Sequence, residues 1–244
     1  LSSGTPFADS IALYIYENTV TAISNITFQG FINPVSTEPN KVGAIEIVRS
    51  DVRFEHVIFQ NNSGILGGAI HATNSNATFN STHFLSNTAK LHGGAIMLVN
   101  SDAVFNGCTF IRNNVSTEPA NLAGTGGAVY FVGVNDLTIL DSEFIDNEAE
   151  ISGGAVFMDL NSNSGLKKLR GQFIARNCLF KGNTVNGLGS CVAAGNCNSR
   201  GGAIFLSTLS ANMEQCRFES NVVTTTSSSK VYSNGNCGFT NLKL

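Results

Sequence analysis

The sequence predicts an all-β chain, a right-handed parallel β-helix of about seven rungs with three short strands each. Two alternating words and one spacing carry this expectation. The first word, Gly-Gly-Ala followed by Ile or Val, stands at Gly67–Ile70, Gly93–Ile96, Gly126–Val129, Gly153–Val156 and Gly201–Ile204. The second, Phe-x-x-Asn, stands at Phe59/Asn62, Phe84/Asn87, Phe110/Asn113, Phe144/Asn147, Phe180/Asn183 and Phe218/Asn221. From the Ile or Val to the next Phe the spacing is 14 residues in four units, from Ile45, Ile70, Ile96 and Ile204. It is 15 from Val129 and 24 from Val156, where 161–168 reads as an insertion. From Phe to the next Ile or Val it ranges from 11 to 24. One fixed side and one loop-bearing side describe a coil of short strands stacked on copies of itself.

The strand after Gly-Gly alternates, with Ile70/Ala72, Ile96/Leu98, Val129/Phe131, Val156/Met158 and Ile204/Leu206 facing inward. Its outward side then reads Glu46, His71, Met97, Tyr130, Phe157 and Phe205. Seven residues before each Phe come Thr21, Val52, Ala77, Ala103, Leu137, Phe173 and Ala211, and five before come Ile23, Phe54, Phe79, Phe105, Ile139, Ala175 and Met213. Two before come Ile26, Val57, Thr82, Cys108, Ser142, Cys178 and Cys216. Offsets of two mark a half-buried strand, and the odd jump from five to two marks a corner. The Phe residues, Phe28 to Phe218, form one interior column. Each Asn sits at a bend, its amide bonded to its own and the neighbouring turn, with those turn groups partly reaching water. Gly-Gly supplies positive φ at the remaining corner. The first rung departs from both words, with Phe31 in place of Asn and Val42-Gly43-Ala44-Ile45 in place of Gly-Gly-Ala.

These repeats make residues 1–244 one elongated domain: a degenerate first rung over 10–41, clean repeats over 42–221 and an irregular tail over 222–244. Because both ends interrupt the pattern, the chain reads as a piece of a longer surface protein. Its net charge of -3 carries no basic stripe, which argues against a nucleic-acid partner. No apolar run approaches a membrane-spanning length.

Catalytic, cofactor and metal sites are not expected. Asp141 and Glu143 project outward together, but Gly107, Thr109, Asn177 and Leu179 occupy the matching places in adjacent rungs and cannot complete an acid–base set. His56 and His83 have no third ligand in register. The candidate contact surface is instead the line of outward aromatics Tyr130, Phe157 and Phe205; the alternative is that the long loops cover it. Cys191 and Cys197 bracket one loop and form a candidate disulfide. Cys178 and Cys216 share an inward position in successive rungs, within disulfide reach; the alternative is that both are small core residues. Five Asn-x-Ser/Thr sequons, at Asn25, Asn61, Asn76, Asn80 and Asn114, are as many as the abundance of these residues yields by chance.

The paired Gly-Gly-Ala-(Ile/Val) and Phe-x-x-Asn words resemble the repeat of the polymorphic outer-membrane protein (Pmp) family of chlamydial surface adhesins and autotransporter passengers. The resemblance implies a secreted or outer-membrane, surface-exposed β-helical passenger that adheres to host or neighbouring cells. Its partner would be a cell-surface protein or glycan receptor, with self-association as a further option. The rival readings are a structural subunit of an appendage, wall or coat, and a carbohydrate-active β-helix enzyme.

Overall fold

The computed structural model describes residues 11–17, 20–33, 42–116, 124–159, 171–186, 200–207 and 210–224. Every regular element among them is a β-strand, and the strands pair in parallel with their counterparts one repeat away. Three of the resulting sheets hold seven strands and one holds six. The fold is a parallel β-helix of seven rungs.

Each rung contains the three expected strands, and every rung after the first has a fourth. In the third rung they are Ile70–Thr73, Asn76–Asn80, His83–Leu85 and Thr88–His92. The fourth strand escapes a reading of periodicity because in several rungs it is only two residues long, as at Asn114–Val115, Glu148–Ala149, Thr184–Val185 and Val222–Val223. Each is long enough to aim one small residue inward, and Ala149, Val185 and Val223 form a minor core of their own.

Four corners close the rung, and each holds one residue in the left-handed region. In the third rung these are Asn74 (φ 51), Ser81 (φ 45), Ser86 (φ 52) and Gly93 (φ 64). Side chains at three of the four vary freely in type, since the corner selects a backbone angle and aims the side chain outward. The two glycines of the repeated word do different work. The first takes the positive φ; the second is required by close stacking, because a Cβ on Gly94 would lie 2.0 Å from the Gly127 carbonyl oxygen of the next rung. The expectation that both supply positive φ is corrected accordingly.

The interior follows the predicted columns. Phe28, Phe59, Phe84, Phe110, Phe144, Phe180 and Phe218 stack with ring centroids 4.5–5.1 Å apart, one rung per ring. Phe54, Phe79 and Phe105 form a second stack that meets the first edge to face, with Phe105 and Phe110 at 5.2 Å and 89°. Crossing two stacks at right angles fills the width of the coil and uses the favourable edge-to-face geometry of aromatic rings.

Beside the Phe column runs a ladder of buried Asn amides. Asn113 Nδ2 donates to Asn147 Oδ1 at 3.0 Å and, with its other hydrogen, to the Phe84 carbonyl at 2.9 Å. Asn113 Oδ1 in turn accepts from both the backbone N–H and the Nδ2 of Asn87, each at 3.0 Å. The same set repeats from Asn62 to Asn221, and Phe31 N–H starts it by donating to Asn62 Oδ1. These Asn residues are fully buried, with at most 2% of their surface exposed. The turn groups therefore do not reach water, contrary to expectation; each relies on the amide.

Candidate binding face

The first sheet, which follows the glycines, turns its outward side chains into one column because its strands pair residue for residue. Tyr14 lies beneath Glu46, then His71, Met97, Tyr130, Phe157 and Phe205 follow in register. Polarity changes along it. At the first rungs Tyr14 is exposed, and the His71 Nδ1 lies 3.5 Å from a Glu46 carboxylate oxygen. That separation suits an ion pair when the imidazole is protonated but exceeds a good hydrogen bond. His71 Nε2 lies 3.4 Å from the Thr73 hydroxyl.

Further along, the column becomes aromatic. Tyr130 and Phe157 stack at 5.1 Å and 2°, Phe157 and Phe205 at 4.9 Å and 11°. All three are half-buried. A fourth ring, which the sequence reading did not single out, joins from the side: His92 stacks on Tyr130 at 4.3 Å. His92 is the residue before Gly93-Gly94, and the sharp turn there folds it against the outward face. Its Nδ1 lies 2.9 Å from the Thr125 hydroxyl, and burial lowers its pKa to about 4, so the ring is neutral. Burial, and then the carboxylate of Asp159, raise the Tyr130 phenol above its ordinary value. Phe157 is covered on both faces by its neighbours, and Tyr130 by His92 and Phe157. The surface they offer is a line of ring edges.

The other sequence candidates are not brought together. Asp141 is an exposed corner residue at φ 49 that accepts from Asn177 Nδ2 at 3.0 Å; Glu143 is exposed and pairs in register with Thr109 and Leu179. No three His, Cys, Asp or Glu side chains gather to hold a metal ion among the described residues. Cys191 and Cys197 lie outside the described residues. Cys178 and Cys216 are adjacent as predicted, but they are free buried thiols rather than a disulfide, with their Sγ atoms 3.1 Å from the Arg176 carbonyl and 3.4 Å from the Glu214 carbonyl, to which they donate. No helix among the described residues is long and apolar enough to cross a membrane.

Fold and face together define a scaffold built from repeats, with two of its corners set by two short words. Residues 56–73 match the family model described as the Chlamydia polymorphic membrane protein (Chlamydia_PMP) repeat. That span runs from the corner at His56 through Phe59, Asn62 and Gly67-Gly68-Ala69 to the end of the next first-sheet strand, so it holds one copy of each word. The match covers one repeat unit of the 244 residues and is a likeness to the repeat of that family. No curated protein and no solved structure matches it.

Proposed function

We propose that this chain is a non-enzymatic, surface-exposed β-helical passenger that mediates adhesion to host or neighbouring cells. Contact runs through the outward face of the first sheet, and the receptor is a cell-surface protein or glycan. One observation carries the reading: Tyr130, Phe157 and Phe205 form an aromatic line on the outside of a rigid coil, half-buried rather than sealed in. Aromatic side chains with two rotatable bonds give contact area at low entropic cost, which suits a receptor surface. The Pmp-type repeat supports the surface location.

The test is attachment of the Tyr130→Ser/Phe157→Ser double variant to cells, with circular dichroism as the folding control. We expect half-maximal attachment to need roughly tenfold more protein, the loss seen when central aromatics are removed from an interface. Unchanged attachment by a folded double variant excludes this face. Failure of the wild-type domain to attach to any cell or glycan favours the architectural subunit instead.

A further inference from the structure

We propose that Cys178 and Cys216 are a redox-active dithiol that closes into an inter-rung disulfide when it meets a disulfide-bearing oxidant, stapling the seventh rung to the sixth. The strands on either side place the pair: Arg176 pairs with Glu214 and Leu179 with Arg217, which sets Cys178 directly against Cys216. The Arg217 N–H donates to the Cys178 carbonyl at 2.8 Å, so the two corners are locked in register. Residues one rung apart have Cα separations of roughly 5 Å, inside the range a disulfide spans. Cys108 stands in the same column, but Ser142 separates it from Cys178, and the Cys108 N–H donates to that Ser142 hydroxyl at 3.0 Å.

The pair is polarised. The neighbouring thiol holds Cys178 above its ordinary value and Cys216 below it, making Cys216 the first thiolate. Access follows from the seventh rung, where Ile204, Leu206, Met213 and Phe218 are only half-buried although they occupy interior columns. A rung so thinly covered opens locally more easily than those below it. The Cys216 thiolate attacks one sulfur of the oxidant disulfide, forming a mixed disulfide and releasing one thiolate. Cys178, after losing its proton, attacks the Cys216 sulfur and releases the second. Two electrons pass to the oxidant, which leaves as two thiols.

Full-length protein is incubated with oxidised glutathione at mildly alkaline pH, alkylated and digested with trypsin. Cleavage puts Cys178 in 177–181 and Cys216 in 201–217, apart from Cys108, Cys191, Cys197 and Cys237. We expect these two peptides joined, lighter than their reduced sum by two hydrogens. Oxidation should also raise the melting temperature by on the order of 5 °C more in wild type than in Cys216→Ser, because the link closes a loop of about 40 residues. Serine fits this column, as Ser142 does one rung below Cys178. Recovery of both cysteines alkylated, their pairing with other cysteines, or an equal thermal rise in the Ser variant would overturn the proposal.

Discussion

Two aromatic stacks run along this molecule, one inside and one outside, and their geometry is nearly the same. Phe144 and Phe180 stack at 4.9 Å and 12° in the interior; Phe157 and Phe205 stack at 4.9 Å and 11° on the outer face. Parallel pairing in register sets both spacings, so stacking by itself says nothing about what a ring contributes. Surroundings separate them. The inner rings are sealed between a second Phe stack and the Asn ladder, with no exposed surface from Phe28 to Phe180. The outer rings have strands on one side only. The inner stack holds the coil together, and the outer one is free to act on something else.

The sharpest test of the inner side is Asn113 rather than Phe110. Asn113→Ala leaves the Asn87 N–H, one hydrogen of Asn87 Nδ2 and an Asn bond to the Phe84 carbonyl unmade, all in a buried corner. At about 1–3 kcal/mol for each unsatisfied group, less some relaxation, the expected cost is about 4–6 kcal/mol. Phe110→Ala opens a cavity and should cost about 3–5 kcal/mol. Denaturant unfolding of both variants decides the order. A clearly smaller Asn cost would mean that water enters the corner and that the ladder is secondary to the Phe stack.

That order could not be read from the sequence, and the reason is instructive. The positions of Phe and Asn and the inward columns were legible because identical side chains recur at a constant offset, and a parallel coil turns constant offset directly into register. Burial of the Asn corner was not legible: an Asn at a bend looks the same whether its turn faces water or the minor core of Ala149, Val185 and Val223. Most left-handed corners were hidden for the opposite reason, since His56, Ser81, Asp141 and Gln215 share a backbone angle but no side-chain chemistry. Of the candidate face, the line Tyr130–Phe157–Phe205 was legible from strand alternation. His92 was not, because it reaches that line across the glycine turn.

His92 gives the comparison a pH dependence. In the folded chain it stays neutral down to about pH 4, whereas the unfolded chain protonates it near the ordinary value of 6.5. Between those values the unfolded state binds the extra proton, so stability is lost as pH falls through the window, by up to about 3 kcal/mol, and is unaffected by this group above it. Urea midpoints at pH 7.5 and 4.5 for wild type and His92→Gln measure the effect. The wild type should lose more on acidification than the variant. Equal losses would assign the acid sensitivity to carboxylates elsewhere and leave His92 only loosely seated on Tyr130.

The smallest expected effect on stability is also the one that best separates the two stacks. Phe157→Ala removes a ring with both faces covered, just as Phe110→Ala does, but its edge is already in part hydrated. No closed cavity forms, because water or neighbouring side chains fill the space, so the cost reduces to the lost burial and stacking of a half-covered ring, about 1–2 kcal/mol. Measured in the same denaturant series as Phe110→Ala, it should come to less than half of that value. A cost as large as the interior one would show that the outer face is sealed against something in the native chain, and a face already occupied could not serve as the contact surface for a receptor.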